Sequence, residues 1–256
     1  MRTTRKYVDY DYSTFLGPNY KDTQISPKYL STFVSNHTSW LDVPILIAQL
    51  RTAFASKRNF RDFPIFGILV KALGCLFISR GASADKRDQI VEQIGERQQT
   101  VELTGKYPPI CIFPEGGTSN GHYILPLKRG AFASLRAVKP IILKYSYGTV
   151  SPAWDVAPFM PLVIMMLSLF DFKCEVIELP TFIPNDYLFS NHADKGKEKH
   201  EIYAWAVREV MSAAGDMDKS EAAFREKLYY EKILGFRKDV PVIKQEREPL
   251  LNDQEE

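Results

Sequence analysis

The chain has 256 residues, 45% of them hydrophobic and 25% charged, with a formal net charge of +2. This is ordinary globular composition at a length that allows one large domain or two small ones. Without a basic stripe interleaved with aromatics it excludes a nucleic-acid partner, and no segment reaches the roughly 18 to 20 uninterrupted apolar residues of a membrane span.

Taken in order, Met1–Tyr12 is mildly basic but has no apolar centre, so it is not a secretory signal. Short apolar, β-branched runs predict strands at Leu30–Ser35, Ala53–Ser56, Cys75–Ser79, Pro109–Phe113, Ile141–Ser146 and Cys174–Leu179. Lys86–Thr104 reads as a polar surface helix with Ile90 and Ile94 on one face. Lys195–Ala214 carries Ile202, Ala206, Val207, Val210 and Met211 on one stripe, with Gly215 to end it. Asp218 and Glu221 resemble a capping box, which predicts a helix running from there to Leu234. Two apolar stretches stand out, Phe63–Ile78 and Val156–Phe170, each interrupted by proline or glycine. They suit either a buried core or a surface that dips into a lipid interface. Strands separated by helices of this length predict an α/β fold, a mixed β-sheet flanked by helices. One domain is expected over 1–235, followed by a charged tail over 236–256 that is disordered or held by a partner. Cys75, Cys111 and Cys174 have no second Cys or His at ligand spacing, so no metal site is expected, and they fit a reducing compartment.

Three segments carry candidate chemistry. His37 and Asp42 follow the first predicted strand, and a helix starting there returns the carboxylate to the imidazole. An Asp on one ring nitrogen fixes the tautomer and makes the other nitrogen a base. Such a pair is as often a helix cap or a satisfied ion pair. Arg80 ends the run Gly74–Arg80, where its fork of donors suits a phosphate oxygen or pairs with Asp85 or Asp88. Phe113–Gly121 is a glycine-rich turn after a strand, in which Glu115 can meet a substrate hydroxyl or hold Arg80.

Together, in this order and spacing, the three segments resemble the glycerophospholipid acyltransferase family. The run Phe113–Phe132, with Asn120, Gly121, Leu125, Lys128 and Gly130, is most similar to the lysophosphatidylcholine and lysophosphatidylethanolamine acyltransferase branch. Val138–Ile141 resembles the family's fourth block, and the likeness covers Tyr12 to Leu234. The resemblance implies acyl transfer from acyl-CoA, as co-substrate and without a resident cofactor, to the free hydroxyl of a lysophospholipid. It implies His37 as base and Asp42 as its orienter. Arg80, Glu115, Gly116, Gly117 and Thr118 would bind the acceptor. Gly117 departs from the family, which usually has Thr after Pro-Glu-Gly; Thr118 is the nearest substitute hydroxyl. The anchoring helix that usually precedes the motif and the calcium-binding repeats of some relatives are missing from this sequence, so a bare catalytic domain is expected.

Lys57, Arg61, Phe63 and Phe66 form the expected membrane-facing lip. The chain is expected to sit peripherally on an intracellular membrane, endoplasmic reticulum or mitochondrial, or to be held there by a larger membrane complex, and not to be secreted. Two other readings remain open here. One is an accessory subunit that keeps the fold and a bound lipid but has no catalytic task. The other is a hydrolase, since Gly117–Gly121 matches the nucleophile-elbow pattern with His192 or His200 as base. The sequon Asn36–Thr38, where a glycan would block His37, is read as accidental, since no secretory signal is found.

Overall fold

Among the described residues there are nine strands: β1 (Arg2–Tyr7), β2 (Thr32–Ser35), β3 (Ala53–Lys57), β4 (Leu76–Ile78), β5 (Ile110–Ile112), β6 (Tyr123–Ile124), β7 (Lys139–Tyr147), β8 (Phe172–Glu178) and β9 (Asp218–Lys219). Seven form one sheet in the order β1-β8-β7-β2-β5-β3-β4, and β6 with β9 makes a separate ribbon. Only β7 and β8 pair antiparallel; every other neighbour pair is parallel, so the sheet is mixed. The helices are α1 (Ser13–Leu16), α2 (Tyr20–Thr23), α3 (Asp42–Leu50), α4 (Ala84–Thr104), α5 (Phe159–Leu169), α6 (Asp186–Asn191), α7 (Lys199–Gly215) and α8 (Phe224–Ile233). The structure, a computed structural model, describes residues 2–57, 68, 71–78, 84–155, 158–169 and 171–236. The predicted tail lies almost wholly outside them.

Alternation along the central strands explains their unbroken apolar runs. Successive side chains of a strand point to opposite faces. Phe33 of β2, Ile141 and Leu143 of β7, and Cys174 and Val176 of β8 pack with Ile45 and Leu46 of α3. Val34, Ile142 and Ile177 face the other way, into a core with Tyr203, Val207, Val210 and Met211 of α7. Both faces are covered, so both parities must be apolar. The same parity carries Tyr145 onto the α3 side of β7.

One element was not foreseen and two expectations need correction. The N-terminal segment forms edge strand β1, which its polar sequence conceals; it pairs with β8 along its whole length, and Arg5 and Lys139 meet Glu178 across the ladder. No helix opens at Asp218. The Asp218 and Ser220 amides donate to the carbonyls of His122 and Ile124, so they are spent on the ribbon and the helix begins only at Phe224. The helix predicted from Lys195 begins at Lys199, after a 3-10 turn over Ala193–Lys195. A capping box of Glu198 and Glu201 opens it, and Asp216, at φ 51°, ends it instead of Gly215.

Candidate active site

The loop between β2 and α3 is built to hold one imidazole and one carboxylate. Asn36 extends the β2·β7 ladder with its side chain. Its Nδ2 donates to the Leu143 carbonyl at 3.0 Å, and its Oδ1 accepts the Leu143 amide at 2.8 Å. The next residue, His37, is gripped through its own backbone. Its N–H donates to Glu115 Oε1 at 2.8 Å, and its carbonyl accepts the Ser119 amide at 2.8 Å. One face of its ring stacks on Phe113, with centroids 4.0 Å apart and planes 13° apart.

Asp42 opens α3, where the helix dipole favours a negative charge. It is fully buried, yet every donor around it stabilises the anion. Its Oδ2 accepts from Thr38 N at 2.6 Å and Ser39 N at 2.9 Å, and lies 2.7 Å from His37 Nδ1. Its Oδ1 accepts the Tyr145 hydroxyl at 2.5 Å. With the carboxylate supplied as acceptor, Nδ1 is the donor and Nε2 carries the lone pair. Nε2 has no hydrogen-bond partner among the described residues, and the His37 side chain is 19% exposed. A ring held in this way could serve as an oriented base.

The Phe113–Gly121 loop supports that base. Sequence reasoning offers Glu115 to a substrate hydroxyl or to Arg80. Among the described residues, both its oxygens accept from the protein's own backbone, His37 N and Leu125 N, and the side chain is buried. Burial pushes its carboxyl up to about 7, although both amides and Arg208 pull the other way. Gly116 turns the loop at φ +87°, with the Lys128 side chain lying where a Cβ would stand. Gly117 is packed beneath α8: a Cβ there would come within 1.9 Å of the Phe224 ring. Lys227 of the same helix donates to the Thr118 carbonyl, the Thr118 hydroxyl and the Trp154 carbonyl at 2.8–3.0 Å. The loop leads into β6 and not into a helix, so Ser119 does not stand on a nucleophile elbow. Its amide is used to hold the His37 carbonyl.

Arg80, Arg61, Phe63, Phe66 and the Lys57 side chain lie outside the described residues. Within the Val156–Phe170 stretch, Phe159–Leu169 forms α5, which lies against the His37–Asp42 loop. Trp40 Nε1 contacts Met166 Sδ at 3.4 Å, and the Trp40 and Phe159 rings meet edge to face. Leu162 and Met166 are buried; Phe159, Met160, Ile164 and Leu167 are 42–61% exposed. A cavity of about 560 Å³ borders the same loop at Thr38 and Tyr145, but His37 does not line it. Among the described residues no helix is long and apolar enough to cross a membrane, and no cluster of three His, Cys, Asp or Glu side chains is placed to hold a metal ion. Tyr145, Phe224 and Lys227 were not legible as site residues, because each reaches the loop from a distant element.

The chain belongs to the acyltransferase family: the family model Acyltransferase matches residues 20–154. Lysophospholipid acyltransferase LPEAT1 of Arabidopsis thaliana is 32% identical over 204 residues, covering 80% of this chain and 49% of that protein. Human lysophosphatidylcholine acyltransferase 1 is 29% identical over 192 residues, covering 74% of this chain and 34% of that protein. The chain thus spans about half the length of the first relative and a third of the second. The crystal structure of the 1-acyl-sn-glycerophosphate acyltransferase PlsC of Thermotoga maritima aligns with a TM-score of 0.49 at 16% identity, covering 84% of this chain and 71% of that one.

Proposed function

We propose that the chain transfers an acyl group from acyl-CoA to the free hydroxyl of a lysophospholipid, with His37 as the base. The observation that carries the reading is the His37 ring itself, tied through Nδ1 to a buried, donor-filled Asp42, with no partner on Nε2 among the described residues. The names of the two relatives, both lysophospholipid or lysophosphatidylcholine acyltransferases, support the acceptor class. In this mechanism Nε2 takes the hydroxyl proton as the oxygen attacks the thioester carbon. The C–S bond breaks, and the imidazolium returns the proton to the departing thiolate. Asp42 stabilises the imidazolium between the two steps. Arg80 holds the acceptor phosphate, and Gly116, Gly117 and Thr118 contribute to binding the same acceptor. Glu115 acts through the backbone of His37 and not on substrate. No metal takes part in any of these steps.

The chain docks on an intracellular membrane through the exposed face of α5 and the segment containing Lys57, Arg61, Phe63 and Phe66. The test of the chemistry is His37→Ala, assayed with labelled acyl-CoA and a panel of lysophospholipids. The rate should fall at least about a hundredfold with the melting temperature nearly unchanged. Retained turnover removes His37 from the mechanism. A folded wild-type chain with no turnover moves the reading to an accessory subunit.

A further inference from the structure

We propose that Tyr145 is a positioning residue of this site: its hydroxyl holds Asp42 Oδ1, so that the carboxylate stays an anion and presents Oδ2 to the His37 ring. The proposal rests on the acid–base reading above. Three donors converge on Oδ2, all from the local segment His37–Ser39, whereas Oδ1 receives the Tyr145 hydroxyl at 2.5 Å. That hydroxyl arrives from β7, 103 residues away in sequence, so the loop does not need it in order to close. The Tyr145 ring sits among Trp40, Leu162, Met166 and Phe172, where phenylalanine would pack as well. The hydroxyl therefore adds a directed hydrogen bond to an anion, together with a contact to the Cys174 thiol. Burial, and then the Asp42 charge, push the phenol ionisation far up, so it remains a donor throughout the working range.

Removing this donor has a definite sign. A buried carboxylate with one fewer donor holds a shared proton more tightly, so the His–Asp pair stays protonated to higher pH. The titratable groups facing the pair are Cys111 of β5, Glu115 of the following loop and Cys174 of β8; α5 contributes only apolar side chains. Burial lifts the Cys111 thiol far up and Cys174 up to about 12, so neither titrates alongside. Glu115, at about 7, does, and the comparison must therefore be between variants at matched pH.

In Tyr145→Phe the acid limb of the kcat/KM profile should move up by about one pH unit. On that limb the rate at matched pH should fall about tenfold, with KM for both substrates and the rate on the alkaline plateau little changed. Replacing Tyr145 by 3,5-difluorotyrosine, a stronger donor of nearly the same shape, should move the limb the other way. It also keeps the question open to test if Tyr145→Phe does not fold. A wild-type profile in either variant overturns the proposal. If the wild-type chain proves inactive, the acyl-transfer reading fails on its own. The coupling is then read from the imidazole NMR titration of His37, which should move in the same directions; identical titrations in all three proteins overturn it.

Discussion

The smallest unit of this site is one backbone-held histidine, and Glu115 carries a measurable part of the cost of holding it. The unfolded glutamate loses its proton near the ordinary value of 4.5, and the folded one near 7. Between those values the folded state binds a proton that the unfolded state has lost. Stability must therefore fall as pH rises from about 4.5 to about 7, and level off above. The size is about 3 kcal/mol from this one group. Glu115→Gln cannot ionise, so it should remove that slope. It should also be less stable than wild type at pH 5, because an amide NH₂ then faces one of the two backbone donors. Urea unfolding at pH 5 and pH 8 measures both effects. An unchanged difference between the two pH values in the Gln variant would show that Glu115 is not the group responsible.

At the scale of elements, α8 accounts for glycine at position 117, where the family pattern has Thr. The turn can take a side chain at residue 117 only if the Phe224 ring moves, because an added Cβ meets that ring at 1.9 Å. The helix is tied down at the same place by Lys227, through Thr118 and Trp154. Gly117→Thr should therefore lift α8, costing about 1–3 kcal/mol by overpacking. Cleavage by trypsin within Phe224–Ile233 should accelerate. Adding Phe224→Ala in the same chain should relieve the clash and recover most of the lost stability, a coupling that a double-mutant cycle measures. Additive effects of the two substitutions would separate Gly117 from α8.

At the scale of the whole molecule, the sheet sets the site at the carboxyl end of β2, and α5 lies against it with an apolar outer face. Phe159, Met160, Ile164 and Leu167 are exposed while Leu162 and Met166 of the same helix are buried. The two sets predict different outcomes. Ile164→Asp with Leu167→Asp should leave the melting temperature nearly unchanged and lower binding to phospholipid vesicles at least about tenfold, since each buried side chain of this size is worth about 1.5–3 kcal/mol. Met166→Asp should instead unfold the protein, by placing a charge against Trp40 and Trp154. Vesicle sedimentation with the double Asp variant checks the docking; undiminished binding would assign it to other segments.

The sequence by itself determined the parts of this protein that depend on local spacing. Strand periodicity at Thr32–Ser35, Lys139–Tyr147 and Phe172–Glu178 gave the central sheet, because a strand buried on both faces must be apolar at both parities. The four-residue gap between His37 and Asp42 gave the pair, because one strand end and one helix start fix the geometry across so short a stretch. The tertiary structure alone decided what reaches that pair from afar. Tyr145 meets Asp42 only because β7 lies beside β2, and Glu115 meets the His37 amide only because β5 lies on the other side. The Asp218–Glu221 spacing imitated a helix start, and its backbone amides went to the β6 ribbon instead. Edge strand β1 was hidden for a related reason: its residues are mostly exposed, and its place is set by backbone pairing with β8, to which side-chain hydropathy is blind.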